Sequence, residues 1–376
     1  MLVKSAVVNA VGKDYEFETL ELQDMQKDEV IVKVVASGIC HSDEAIRIGE
    51  AEIPLPAVLG HEGAGIIVKV GEAAKNFKVG DHVLMTYNIC GECMQCKSGH
   101  PSSCKSWAAL NMSGTRLDGS YVFKKQDGTP VSNFFTQSAF STYTLTNYKN
   151  LVKIDDNIDL RLVAPLGCGF LTGAGTVVNG LKPQSGDSIA VFGTGAVGLA
   201  ALMLAKAQGC TTVIAIDIHD YRLQIAKELG ATHVINSSKE DICSAVKRIT
   251  QDKGVKFSVD TTGVRDIMKS SIEILSAQGI AAPVAVTPKT IDINPFLDLV
   301  LQNKTIKGVL MGDAIAQIEI PQLIALYQQG KFNFDRLIQY YKFEEINQAS
   351  LDSNTGKVIK PVLIIDPEYK VSSAEK

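Results

Sequence analysis

The chain has no block of lysine and arginine. Its 37 basic residues are outnumbered by 41 acidic ones, a formal charge of −4, so no electrostatic footprint for nucleic acid or an anionic membrane is visible. Glycine and proline are sparse, 31 and 12 among 376 residues, and 45% of positions are apolar against 21% charged. That balance excludes a disordered, collagenous or low-complexity protein. A secretory leader is missing too: MLVKSAVVNAVGKDYEFE places Lys4 and then Lys13 where an apolar h-region would have to run. A cytoplasmic chain is expected, large enough for two or three domains.

Long membrane-type runs are equally scarce. Two uncharged stretches, Leu162 to Leu181 and Ser188 to Ala205, approach span length. Five glycines, Pro165 and Asn179 break the first, and Gly193, Gly195 and Gly198 divide the second into a short β-type run and a helical run. Both read as buried elements of a globular fold, with no membrane partner.

What the chain does have is cysteine. Eight cysteines in a cytosolic protein point to metal or catalysis before disulfides. Four of them cluster as Cys90, Cys93, Cys96 and Cys104, in a loop-like stretch able to wrap four thiolates round one tetrahedral ion. Zinc fits such an all-sulfur site. An iron–sulfur cluster shares the opening Cys-x2-Cys-x2-Cys run, but there the fourth cysteine follows sooner and precedes proline, so zinc is preferred.

Along the chain the texture changes once. The first 155 or so residues are β-rich runs such as EVIVKVVAS and AGIIVKVG, punctuated by Gly, Asp and Pro, which reads as an irregular β-domain. From about Ser188, short apolar runs (SIAVF, TTVIAID, KFSVD) alternate with amphipathic segments, the pattern of βαβ units round a parallel sheet. The terminal run VIKPVLIID is β-type again and is expected to rejoin the first domain.

In the second region Ile189 to Phe192 leads straight into Gly193-Thr-Gly195-Ala-Val-Gly198, with a helical pattern behind it. This is GxGxxG between strand and helix, where missing side chains allow a tight turn and let a pyrophosphate approach the helix N-terminus. The next strand ends at Asp217, placed to accept hydrogen bonds from an adenosine ribose and to repel a 2′-phosphate. NAD is therefore favoured over NADP, although Arg222 is near enough in sequence to help hold a phosphate.

Three further groups remain: Cys40-His41-Ser42-Asp43, Gly60-His61-Glu62-Gly63 and Gly167-Cys168-Gly169. Spacing alone does not assemble residues so far apart. Together Cys40, His61 and Cys168 offer two thiolates and one imidazole, a catalytic zinc set whose fourth position stays open to substrate. Tyr87, Phe140 and Trp107 could line an aromatic pocket, but each reads first as ordinary core packing.

GHEGAG at 60 to 65, the four-cysteine loop and GTGAVG at 193 to 198 make the chain resemble the zinc-containing medium-chain dehydrogenase/reductases, and within them the alcohol dehydrogenases. NMSGTRLDGSYVF and NFFTQSAFSTYTL are further similar to bacterial aryl (benzyl) alcohol dehydrogenases. The resemblance implies an α/β protein, with a GroES-like catalytic domain over 1–170 and 306–376 and a doubly wound Rossmann domain over 171–305. It implies two zincs per chain, one held by Cys40, His61 and Cys168 with Glu62 as an occasional ligand, the other by the four-cysteine loop. Asp43 would hydrogen-bond His61, Ser42 would accept the substrate proton, and His41 and Lys360 would contact the NAD pyrophosphate. Many relatives carry a histidine three residues beyond that serine to pass the proton on, and here Ala45 stands in its place.

The implied reaction is reversible hydride transfer between a primary alcohol, aryl or allylic, and NAD, giving the aldehyde, in a homo-oligomer. The alternatives are a related zinc enzyme acting on a polyol or a glutathione–formaldehyde adduct, and a zinc-stabilised binding protein, which the acidic balance opposes.

Overall fold

The run EVIVKVVASG is rich in valine and forms the strand Glu29–Gly38, in which every residue but Lys33 is buried. Such an apolar run suits a strand covered on both faces. In the computed structural model, which describes residues 1–371, it is the hub of a seven-stranded sheet. Gly63–Val70, His82–Met85 and Leu151–Ile154 extend from one side, Lys360–Ile364 and Ile338–Lys342 from the other, and Tyr143–Asn147 also pairs with the hub. Val362 lies opposite Gly38 and Ile364 opposite Ala36, so the terminal β-run does rejoin the N-terminal region. A five-stranded antiparallel sheet in the order Ala57–Val58, Leu2–Val8, Glu16–Leu22, Phe123–Lys124, Pro130–Val131 completes the β-structure here.

The second sheet system is parallel, in the order His233–Asn236, Thr212–Asp217, Ser188–Phe192, Val255–Asp260, Leu275–Pro283, Thr305–Ile306. Strand order reverses at Ser188–Phe192, which makes the carboxyl end of that strand the crevice of a doubly wound sheet. Helix Ala196–Ala207 follows it, with Gly198 to Ala205 buried. A Cβ on Gly198 would sit 1.9 Å from the Gly193 carbonyl oxygen, so the third glycine of the motif is required by helix–strand packing.

Met1–Cys168, Ile315–Ile324 and residues 335–371 form one compact unit, and Gly169–Ala314 with Ala325–Phe334 the other. The stretch 306–314, grouped by sequence with the first domain, lies with the parallel sheet. Thr305–Ile306 pairs with Leu275–Pro283, Asn179 donates to the Gly312 carbonyl, and a Cβ on Gly175 would meet that same oxygen at 2.4 Å. No single helix among the described residues is long and apolar enough to cross a membrane.

Candidate active site

The first unit brings three distant cysteine and histidine positions together. Ligand atoms of Cys40, His61 and Cys168 all lie within 4.8 Å of one another, although 128 positions separate the first residue from the last. Asp43 organises the group. It is the third residue of helix His41–Arg47, and its Oδ2 accepts from the Cys40 amide at 3.0 Å, as in a capping box. Its Oδ1 accepts from the Gly60 amide and faces His61 Nδ1, each at 2.9 Å. One buried carboxylate therefore aligns two of the three prospective ligands.

A carboxylate at Nδ1 puts the ring proton there and leaves Nε2 as a lone pair. Nε2 is buried and has no hydrogen-bond partner. A buried polar atom in that condition is costly unless something else fills its valence. The Cys168 thiol donates to Cys40 and, against the effect of burial and with His61 adjacent, holds the Cys40 thiol well below its ordinary range. Thiolate is the form that binds metal. Two sulfurs, one orphaned imidazole nitrogen and no fourth protein donor in the group match an open zinc site.

Glu62 stands apart from that trio. Both of its oxygens lie 2.9 Å from Lys360 Nζ, which also donates to the Ile39 carbonyl at 3.1 Å. Lys360 is 2% exposed and Glu62 wholly buried. The structure thus shows Lys360, implied above as a pyrophosphate contact, in a buried ion pair, and Glu62 must leave that pair to reach a metal. Gly38 makes the room, since a Cβ there would lie 2.0 Å from Glu62 Oε2.

Ser42 follows Cys40 by two residues, and its hydroxyl lies 4.0 Å from the Cys40 sulfur. His41 is exposed at the start of the helix, whereas Ala45 is 1% exposed and faces inward. The helix therefore presents no titratable side chain at the outer relay position.

The four-cysteine loop also closes on itself. Cys90 and Cys96 sulfurs are 3.9 Å apart and Cys93 and Cys96 sulfurs 3.6 Å, close to the roughly 3.8 Å edge of a tetrahedron with zinc–sulfur bonds of about 2.3 Å. Backbone amides of Cys90 and Ser106 donate to Cys104, and that of Cys93 to Cys90, each at 3.4 Å. Amides of Cys96 and Lys105 bring the Cys93 thiol down to about 6. All eight cysteines are unpaired by disulfides.

Phe140 packs edge-on against Tyr15, and the rings beside His61 are Phe134 at 5.1 Å and Phe135 at 4.8 Å. Trp107 meets Phe135 edge-on at 5.6 Å, which extends the aromatic packing beside His61. Phe134 and Phe135 were missed because a Phe-Phe pair in a loop reads as ordinary core.

In the second unit a cavity of about 580 Å³ opens at the switch point, lined by Gly193, Gly195, Asp217, Arg222 and Thr262 among others. Gly193 has φ +83°, a conformation glycine adopts without strain. Asp217 is pinned: Oδ2 accepts from the Thr194 amide and hydroxyl at 2.7 Å each, and Oδ1 from the Ile218 and His219 amides at 2.8 and 3.0 Å. The carboxylate is thereby held at the cavity wall, where ribose hydroxyls need an acceptor. Arg222 Nε donates to the Tyr221 hydroxyl at 2.8 Å.

Two outcomes are expected. Wild-type protein should contain two zincs by metal analysis. Cys168→Ser should lose one with little change in Tm, whereas Cys93→Ser should lose the other and lower Tm, because metal binding in a closed loop is folding free energy. A single zinc in well-folded, active wild type overturns this. Asp217→Ala should weaken NAD binding about 10- to 100-fold by loss of charged hydrogen bonds and narrow the gap to NADP, as fluorescence titration of both dinucleotides would read. Tighter NADP binding by the wild type would assign the site to Arg222.

Comparison with known proteins bears on the whole chain. The model of the alcohol dehydrogenase GroES-like domain matches residues 26–156, and that of the zinc-binding dehydrogenase matches 196–329. Geraniol dehydrogenase of Castellaniella defragrans is 39% identical over 369 residues, covering 96% of this chain and 97% of that protein. The crystal structure of benzyl alcohol dehydrogenase from Acinetobacter calcoaceticus superposes with a TM-score of 0.92 at 43% identity, covering 97% and 99% of the two chains. An alcohol dehydrogenase zinc-binding domain protein from Burkholderia ambifaria gives 0.93 at 41%, with the same coverage. The chain belongs to the zinc-containing alcohol dehydrogenases of the medium-chain dehydrogenase/reductase family.

Proposed function

We propose that the protein is a cytoplasmic, homo-oligomeric alcohol dehydrogenase that interconverts primary aryl or allylic alcohols and their aldehydes with NAD. The observation that carries the substrate class is the aromatic packing round the prospective metal ligand His61, with Phe134 and Phe135 against its ring and Trp107 against Phe135. An apolar, aromatic surround of this kind favours flat, unsaturated substituents over short aliphatic alcohols and hydroxyl-rich polyols. The names of the two relatives, a geraniol and a benzyl alcohol dehydrogenase, support the same class.

Bound by Cys40, His61 and Cys168, zinc would supply a Lewis acid that acidifies the alcohol, and NAD would supply the hydride acceptor, while the four-cysteine loop would hold its zinc in a closed, structural site. The chain's own residues do the rest. Cys40, His61 and Cys168 hold the ion, and Asp43 keeps the His61 proton on Nδ1. Ser42 relays the alcohol proton: its Oγ accepts it as its own hydroxyl proton passes on, finally to solvent, because Ala45 offers no base. Asp217 engages the adenosine ribose, with Gly193 and Gly195 leaving room for the pyrophosphate and Gly198 letting the helix pack close to the turn. Lys360 stays with Glu62 in the resting state, and Glu62 is a reserve carboxylate for the metal. Reduced cysteines at both metal sites suit a cytosolic compartment. Self-association is supported by Phe296, Leu297, Val300 and Leu301, each about 60% exposed, just ahead of the edge strand Thr305–Ile306. So apolar a patch marks a contact surface.

A screen of kcat/KM with NAD across benzyl alcohol, geraniol, ethanol and sorbitol tests the substrate class. Benzyl alcohol and geraniol should exceed the other two by at least about tenfold, the worth of one ring contact, and equal or better use of sorbitol or ethanol would sink it. Ser42→Ala should lower kcat about 100- to 10,000-fold, the range for a general base, with unchanged NAD affinity. Undiminished oxidation in that variant would remove Ser42 from the proton path.

A further inference from the structure

Gln137 is completely buried, and its amide is used three times. Nε2 donates to the His61 carbonyl at 3.0 Å and to the Thr86 carbonyl at 3.1 Å, while Oε1 accepts from the Gly63 amide at 3.2 Å. The amide orientation is forced, because the flipped form would set an oxygen against two carbonyls and a nitrogen against an N–H. Thr86, 1% exposed, continues the chain by donating its hydroxyl to the Gly167 carbonyl at 2.7 Å. The main chain of His61 is therefore linked, through Gln137 and Thr86, to the residue immediately before Cys168. Gly167 permits the approach, since a Cβ there would lie 2.3 Å from the Met85 carbonyl oxygen.

The loop that delivers Gln137 is itself held in an unusual shape. Phe135, Thr136 and Ser138 have φ of 52°, 52° and 45°, the left-handed region that non-glycine residues avoid. Such conformations persist only where surrounding structure over-determines them. Here the Ser138 hydroxyl donates to the Val58 carbonyl at 2.7 Å, and the amides of Ala139 and Phe140 donate to Gly60 and Leu59 at 2.8 and 3.1 Å. The segment is thus laced along the very stretch that carries His61. An apolar side chain would fill the same space, but it would leave three buried backbone groups without these bonds.

We propose that Gln137 and Thr86 form a brace that fixes His61 relative to Cys168 and so presets the catalytic zinc site. They are positioning residues. The inference rests on the zinc reading of Cys40, His61 and Cys168 given above. Asp43 orients the His61 ring and ties it to Cys40; the brace acts on the main chain behind the ring and ties it to the third ligand. Without it, the hydrogen-bonded link between the His61 main chain and the residue before Cys168 is lost, and the ion the two ligands share is held less well. Changing partners that orient metal ligands typically alters metal affinity 10- to 100-fold. The four-cysteine loop takes no part in the brace, so its zinc serves as an internal control in the same molecule.

The experiment follows zinc release from the two-zinc protein into a colorimetric chelator, together with the visible absorption spectrum after cobalt replaces the catalytic zinc. Gln137→Met keeps the length and removes every hydrogen bond. It should speed release of one zinc about 10- to 100-fold, leave the other unchanged, and shift the cobalt bands. Should that variant fail to fold, Thr86→Val and Thr86→Ser carry the test. Loss of the hydroxyl in Thr86→Val should speed release, and its retention in Thr86→Ser should restore wild-type behaviour. Unchanged release and an unchanged cobalt spectrum in a folded Gln137→Met overturn the brace alone, as do equal rates in the two Thr86 variants. A wild-type protein that releases only one zinc overturns the zinc reading and the brace with it.

Discussion

An imidazole buried between two sulfurs, one nitrogen tied to a carboxylate and the other facing nothing, is the constraint on which the first unit is built. Each polar group in that position must be matched or the fold loses free energy. Asp43 matches Nδ1, and only an electron-pair acceptor matches Nε2 and the Cys40 thiolate together. The surrounding elements follow from this demand: a short helix that begins at Cys40 so that Asp43 points back, and a loop over Phe135 to Ser138 bent into left-handed turns. Glu62 and Lys360 answer a related demand, because a fully buried carboxylate beside a thiolate needs a cation and receives it from the C-terminal strand.

That last pairing explains why the polypeptide returns. Lys360–Ile364 could close the sheet with any alternating apolar sequence, yet its first residue carries an ammonium into a site 2% exposed. The terminal strand is therefore both a sheet member, opposite Ala36 to Gly38, and a supplier of charge to the metal region. Gly38, opposite Val362, is the point at which the two roles meet, as any side chain there would displace Glu62.

How much of this was legible in the sequence depends on whether a feature is local. The glycine turn with its strand and helix, Asp217 at the next strand end, and the four-cysteine loop are each contained within some 25 residues, and each is found as read. Cys40, His61 and Cys168 were grouped by donor chemistry and family resemblance, and the fold does assemble them. Gln137 and Thr86 carried no signal, because their bonds go to backbone carbonyls and amides, which every sequence possesses. Phe135, Thr136 and Ser138 were equally silent, since left-handed turns are read from glycine or asparagine and none is present there. The expected boundary at 305/306 missed the stretch up to Ala314 for a similar reason: Gly175 and Gly312 are in backbone contact, and backbone contact between two glycines has no apolar pattern to announce it.

The two zinc sites divide one element between opposite physical tasks. In the cysteine loop few side chains are buried, and Cys93 and its neighbours satisfy their sulfurs with backbone amides at 3.4 Å, so metal binding substitutes for a hydrophobic core. In the His61 site the core already exists: Phe134 is 1% exposed and Phe135 5%, and the hydrogen-bonded frame stands on protein groups alone. A site framed by buried rings and hydrogen bonds as well as by its metal ligands can leave one coordination position to substrate, because its stability is not drawn from a full set of four ligands. The aromatic rings on His61 belong to that core and keep the imidazole in place.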